Sequence, residues 1–169
     1  PVSTFARYAD GTLPQGSAAY EKRGVAVTVP QWNPENCIQC NNCAFVCPHA
    51  CIRPFAMTEE EAAAAPANTK FAKNPVVKTN YKFTMAVSPL DCMGCTLCVK
   101  ACPVNANNAK KGVDAKAIEM KPIATQLDQQ PAYNYAVENV SEKPELISAT
   151  IKGSQFKQPL LEYSGSCAG

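Results

Sequence analysis

Cys37-Ile38-Gln39-Cys40-Asn41-Asn42-Cys43-Ala44-Phe45-Val46-Cys47-Pro48 is answered 55 residues later by Cys92-Met93-Gly94-Cys95-Thr96-Leu97-Cys98-Val99-Lys100-Ala101-Cys102-Pro103. Both stretches read C-x2-C-x2-C-x3-C-P, and the same offset also matches Pro34 with Pro89. The chain therefore contains an internal repeat. Outward from each cysteine run the pattern continues without identity. Val25, Val27 and Val29 alternate ahead of the first run, and Tyr81, Phe83, Met85 and Val87 ahead of the second, as residues sharing one face of a strand do. After each fourth cysteine comes a short turning or helical piece, then a second apolar stretch: Ile52 to Met57 and Ala117 to Ile123. Each carries a proline, Pro54 or Pro122, that suits an edge strand. Each half reads as strand, cysteine loop, short helix, strand. Between the halves an insertion of about 53–80 holds Thr58-Glu59-Glu60-Glu61 ahead of an alanine run, with Thr58 a helix N-cap and acids in the first turn. Residues 1–23 and 126–169 show little periodicity and read as arms that pack on something else, flanking a repeat domain over 24–125.

Ten cysteines in 169 residues exceed ordinary usage, yet the chain is too long and too aliphatic for a small disulfide scaffold. No apolar run approaches the roughly 18 residues of a membrane helix, and Pro1-Val2-Ser3-Thr4-Phe5 has no export-signal character. A formal charge of +2 is too small to argue for nucleic acid. The absent initiator methionine suggests a processed chain or a piece of a longer one.

Three thiolates within seven residues wrap one corner of a compact inorganic cluster, and the fourth ligand must come from elsewhere. This spacing is the bacterial ferredoxin signature, in which the fourth cysteine of each run ligates the other cluster. One 4Fe–4S cluster is then expected on Cys37, Cys40, Cys43 and Cys102, and a second on Cys92, Cys95, Cys98 and Cys47. The expected fold is α+β, a ferredoxin-like pseudo-twofold repeat of the two-cluster bacterial type, with the insertion between its halves and irregular arms. Two zinc sites are the rival metal reading, but zinc modules use separated pairs of cysteines. Pro48 and Pro103 should end the preceding short helices. Gly94 should let backbone approach a cluster closely, with Gln39 at the matching place. Ile38, Phe45, Val46, Ile52, Met93, Leu97, Val99 and Ile118 are the residues expected to exclude water. Cys51, opposite Ala106 in the repeat, reads as a buried filler, His49 as a surface or packing residue, and Trp32 and Phe45 as core. Two oxidised cubanes, each about −2 with its thiolates, would turn the formal charge to roughly −2.

Beyond the ferredoxin motif, Val29-Pro30-Gln31-Trp32-Asn33-Pro34-Glu35-Asn36-Cys37-Ile38-Gln39-Cys40, then Cys43-Ala44-Phe45-Val46-Cys47-Pro48-His49 and Leu90-Asp91-Cys92-Met93-Gly94-Cys95, resemble the pyruvate:ferredoxin (flavodoxin) oxidoreductase family. So do Lys152-Gly153-Ser154-Gln155-Phe156, Pro159-Leu160 and Ser164-Gly165-Ser166-Cys167-Ala168-Gly169. The resemblance covers about 25–169. It implies a homodimeric cytoplasmic enzyme that decarboxylates pyruvate on thiamine diphosphate with Mg2+, makes acetyl-CoA from coenzyme A, and passes electrons singly through three 4Fe–4S clusters to ferredoxin or flavodoxin. Two clusters would belong to this chain, which would be an electron relay, catalytic only as part of the parent. Cys167 would match the first cysteine for the third cluster, at the start of a thiamine-diphosphate domain. Cys51 departs from the small residue without a thiol expected there. The alternatives are a free-standing two-cluster ferredoxin, an Fe–S subunit of another oxidoreductase, or a purely structural Fe–S module. Lys70, Lys73, Lys78, Lys82, Lys100, Lys110, Lys111 and Lys116 could dock an acidic carrier.

Overall fold

In the computed structural model, which describes residues 2–12, 22–76 and 78–157, four strands form two antiparallel pairs. Strand β1, Thr28–Trp32, pairs with β4, Ile118–Pro122, so the first strand meets the last, and Trp32 lies opposite Ile118. Strand β2, Ile52–Met57, pairs with β3, Lys82–Val87, setting Ile52 against Val87 and Ala56 against Phe83. Pro30 and Pro54 are tolerated because each sheet has only two strands, so a missing N–H can face away from the partner.

Both faces of the β2–β3 sheet are covered, and side-chain alternation sorts them. Ile52, Ala56, Phe83, Met85 and Val87 face a core shared with Trp32, Ile118 and the cysteine loops. Phe55, Met57 and Ala86 face the other way, onto helix α5. The expected alternation over 81–87 is thus observed. The earlier one is shifted, because β1 begins only at Thr28. Val25 and Val27 are exposed, and Val29 alone is fully buried. Backbone bonds hold 24–27 outside the main ladder, with Gly24 donating to Leu90 O and Val27 O accepting from Ile123.

Helices α1, Asn42–Phe45, and α3, Leu97–Lys100, sit within the two cysteine runs. Each is entered through a left-handed residue, Asn41 at φ 63° and Thr96 at φ 65°. Helix α2, Glu59–Ala63, follows from its sequence: Thr58 Oγ1 accepts from Glu61 N, and Glu61 returns a carboxylate to Thr58 N, a complete capping box. Helix α4, Pro103–Lys110, starts on Pro103, which sits in the first turn where its absent N–H costs nothing. Pro103 therefore opens a helix as well as following α3.

Helix α5, Gln129–Asn139, lies in the stretch read as an irregular arm. Its apolar residues are few and interrupted by Gln130, Pro131 and Asn134, which hides the helical period. Tyr133 and Ala136, three apart on one face, are 1% and 0% exposed against β2 and β3, so what this segment packs on is the chain's own sheet. Burying Tyr133 contributes about 1.5–3 kcal/mol, and its hydroxyl donates to Ala50 O.

The last described helix, α6, Ile151–Ser154, braces the first cysteine loop. Asn41 Nδ2 donates to Lys152 O at 2.9 Å, and Phe156 packs edge-on to Phe83, as Trp32 does from the other side. Gly153 makes this possible. A Cβ there would lie 1.9 Å from Ser148 Oγ and 2.7 Å from Ser148 N, and the backbone atom cannot rotate away. Gly153→Ala is expected to destabilise the protein by about 2 kcal/mol or more, read as a lowered thermal midpoint. An unchanged midpoint would mean that α6 does not hold the loop.

Candidate metal centre

The cysteine loops are shaped by local backbone rather than by regular structure. In each run the residue after the first ligand's neighbour is left-handed, Gln39 at φ 56° and Gly94 at φ 70°. That turn aims its amide back at the preceding sulfur: Gln39 N donates to Cys37 Sγ at 3.4 Å, and Gly94 N to Cys92 Sγ at 3.3 Å. Gly94 also lies against strand backbone, since a Cβ there would come 3.1 Å from Thr28 O. Gln39 occupies the equivalent turn at a cost in backbone strain, and its Nε2 donates to Asn74 O.

Two hollows open between these loops. The first is lined by Cys37, Cys40, Cys43 and Cys102, with Trp32, Met85 and Ile118 as its apolar wall. The second is lined by Cys47, Cys92, Cys95 and Cys98, together with Cys51, Ile52 and Met120. Each hollow thus receives three cysteines from one run and the last cysteine of the other. A larger hollow lies between Gln31, Thr69 and Gln129 and contains no cysteine, so size alone does not mark the site.

Four cysteines drawn from the two runs line each hollow, with Cys51 a fifth at the second, and these soft sulfur donors suit iron–sulfur or zinc chemistry. Among the described residues no three His, Cys, Asp or Glu side chains converge as ligands of a single ion. A cubane, which carries its own sulfides between the irons, spreads its thiolates around a volume instead of a point. Two hollows, each lined by four cysteines drawn from both runs and the second by Cys51 besides, fit that group.

The thiols are not electrostatically equivalent. Burial pushes Cys37 and Cys43 up, and neighbouring cysteines add to it. Burial likewise raises Cys98, to about 12. Cys47 and Cys92 are lowered, because the thiol of Cys51 stands beside both as a hydrogen-bond donor. Cys51 itself is held protonated by the same pair of bonds. Metal loading must therefore displace protons from several neutral thiols. At the first hollow Trp32 Nε1, fully buried, has no hydrogen-bond partner, yet it lies close enough to Cys37 to favour that thiolate.

Of the residues expected to exclude water, Ile52 and Ile118 are buried, at 1% and 2% exposure, and Val46 and Val99 are half-buried. Ile38, Phe45, Met93 and Leu97 are exposed, Ile38 at the wall of the first hollow, Met93 and Leu97 at the wall of the second, and Phe45 at neither. Phe45 is accordingly not a core residue, whereas Trp32 is. Cys51 is buried and His49 packs beside it in the wall of the second hollow. Met85, on the alternating face of β3, and Met120 also line the hollows, a role that alternation alone does not assign. Of the eight lysines around the second run, Lys82 pairs with Glu59 and Lys116 with Asp114. Cys167 lies outside the described residues.

Residues 36–106 match the 4Fe–4S dicluster domain family, and residues 1–26 match a domain of unknown function. The chain is 45% identical along its whole length to a pyruvate-flavodoxin oxidoreductase of Klebsiella pneumoniae and 47% identical to a pyruvate:ferredoxin oxidoreductase of Moorella thermoacetica, and it spans 14% of each. It is also 43% identical to a pyruvate dehydrogenase NADP(+) of Cryptosporidium parvum, of which it spans 8%. With its eight cysteines in two matched runs, the chain is similar along its whole length to a segment of pyruvate-flavodoxin and pyruvate:ferredoxin oxidoreductases, and it carries a match to the 4Fe–4S dicluster domain family.

Proposed function

We propose that this chain is the two-cluster electron relay of a pyruvate-oxidising enzyme, with Cys37, Cys40, Cys43 and Cys102 holding one 4Fe–4S cluster and Cys92, Cys95, Cys98 and Cys47 the other. The observation that carries this reading is the completion of each hollow by the last cysteine of the opposite run. Bound clusters of this kind take up and release single electrons without making or breaking a covalent bond in the protein. The chain's own residues have four tasks. The cysteines bind as thiolates. The amides of Gln39 and Gly94 donate to cysteine sulfur and disperse its charge. Ile52, Met85, Ile118 and Met120 keep water from the hollows, lowering the local dielectric. The paired strands and α5 hold the loops still, so that little reorganisation accompanies a change of charge.

The strand pairing, β1 with β4 and β2 with β3, supports a ferredoxin-like pseudo-twofold fold, since exchanging the halves maps each pair onto the other. We assign 1–23 to an arm, 24–125 to the two-cluster unit and 126–169 to a linker whose α5 and α6 dock back on that unit before a thiamine-diphosphate domain. In the parent enzyme, a cytoplasmic homodimer on this reading, pyruvate would be decarboxylated on thiamine diphosphate and Mg2+ and its acetyl group passed to coenzyme A. Cys167 would serve the third cluster. Ferredoxin or flavodoxin would be the acceptor. A relative named for NADP(+) carries the same segment, which fits a relay whose final acceptor is set elsewhere. No helix among the described residues is long and apolar enough to cross a membrane.

Anaerobic titration with a low-potential reductant is the test. Uptake of about two electrons per chain, one for each cluster, with bleaching of the visible absorption, is the expected result. Iron-loaded protein that accepts no electron would leave a structural Fe–S module instead.

A further inference from the structure

The relay reading uses eight cysteines and leaves Cys51, which no motif requires. Its thiol is 3% exposed, and its Sγ lies 3.5 Å from Cys47 Sγ in the wall of the second hollow, on the side shared with Cys92. Four residues after Cys47 and immediately before β2, it is fixed by the sheet: Ser88 N donates to Cys51 O at 2.7 Å, anchoring the backbone to the end of β3. The repeat puts Ala106 at the corresponding place in the second half, where no donor is possible. The second hollow therefore has an extra thiol within reach of two of its ligands, whereas the matching position in the other half, Ala106, is exposed and does not line the first hollow.

We propose that Cys51 is a positioning residue that tunes the second cluster, its neutral S–H donating to the ligating sulfur of Cys47 and sharing that role toward Cys92. This rests on the two-cluster assignment. A ligating thiolate can only accept, so the proton of the pair must reside on Cys51. The bond draws negative charge off the ligand sulfur. The reduced cluster, one unit more negative, gains more from that than the oxidised one, so the potential of the second cluster is raised. Electron transfer adds an electron to the cluster and moves no proton, and Cys51 remains a thiol in both states. Ala106 cannot do the same for the first cluster, where Trp32 Nε1 lies beside Cys37 instead, so the two clusters are served by different side-chain donors.

The experiment compares Cys51→Ala, Cys51→Val and Cys51→Ser in the cluster-loaded protein, following each cluster by its spectroscopic signal during redox titration. Iron and sulfide content of the unmodified protein comes first. If it lacks two clusters, the relay reading fails and this proposal with it. With both clusters present, Cys51→Ala and Cys51→Val, which remove the donor, should weaken reduction of one cluster about tenfold, or 59 mV for one electron, and leave the other unchanged. Cys51→Ser, which keeps a donor, should stay within about threefold of the original. Should the alanine and valine forms fail to load, the serine form still decides: an unchanged potential supports the donor, and a tenfold fall contradicts it. Equal shifts in all three variants, shifts in both clusters, or no shift on removing the thiol would overturn the proposal while leaving the relay reading intact.

Discussion

Chelating the iron from the loaded chain is expected to abolish its cooperative thermal transition. The protein part of the core is small. Two-stranded sheets are marginal alone, and here there are two of them, joined mainly through the cysteine loops and α5. Cys98 and Cys102 are themselves members of the main buried cluster, with Cys37, Cys43 and Cys47 packed against it. Ligation of a structural metal contributes on the order of 10 kcal/mol to folding, against total stabilities of about 5–15 kcal/mol, so the clusters carry most of the margin. Without them the buried thiols revert to their neutral forms, and the two runs are held together only by packing and by the weak thiol contacts of Cys51. Near-ultraviolet circular dichroism and thermal unfolding before and after anaerobic chelation provide the readout. A chelated chain that melts cooperatively within a few degrees of the loaded one would contradict this.

Breaking the Glu61–Lys143 pair is expected to cost about 3–5 kcal/mol, the largest loss from any single substitution away from the cysteines. Lys143 Nζ lies 2.9 and 3.0 Å from the two carboxylate oxygens of Glu61 and also donates to Ser141 O. Ser141 N and Oγ donate to the same carboxylate, which at its other oxygen caps Thr58 N. One side chain thus joins α2, inserted between the halves, to the chain after α5. The side chains are 15% and 8% exposed, so Glu61→Ala strands a buried ammonium and a broken capping box together. Lys143→Met, which fills the volume without charge, should cost less. Burial pushes the Glu61 carboxyl up, but the Lys143 ammonium and the Thr58 and Ser141 N–H groups outweigh it and hold the pKa at about 2. Since that lies below the unfolded value of about 4.5, the contribution is complete above about pH 5 and is lost as pH falls toward 2. Denaturant titrations at pH 7 should show Glu61→Gln, which keeps the volume and loses the charge, costing nearly as much as Glu61→Ala. A Glu61→Gln protein as stable as the original would assign the effect to packing alone.

The cysteine spacing made both candidate sites legible, because ligand geometry restricts sequence more tightly than packing does. Three thiolates two residues apart leave little choice of loop, and the left-handed turns at Gln39 and Gly94 and at Asn41 and Thr96 recur in both halves. The later strands were legible for different reasons: β3 alternates along its length and β2 is a short apolar stretch, whereas β1 runs for only five residues. Valines at 25 and 27 extend its pattern without extending its ladder. Helix α5 was hidden because it buries only a narrow stripe, Tyr133 and Ala136 with Gln130, in a polar sequence. The outward direction of Ile38, Phe45, Met93 and Leu97 depends on loop backbone, which periodicity does not encode. Nor does spacing say that the thiol of Cys51 lies against Cys47, since that contact depends on the turn through His49 and Ala50, the latter at φ 47°.

Cross-ligation is the central claim, and iron content of two paired variants tests it. Cys43 and Cys102 come from different runs but line one hollow, whereas Cys98 and Cys102 come from one run and line different hollows. Cys102 is the better probe because Ala106, at the place corresponding to Cys51, offers no substitute thiol. After anaerobic reconstitution, the protein with Cys43→Ala and Cys102→Ala should retain about four of about eight irons, and the protein with Cys98→Ala and Cys102→Ala should retain none. The reverse result, iron lost from the first pair and half kept by the second, would mean that each run holds its own cluster and would contradict the account.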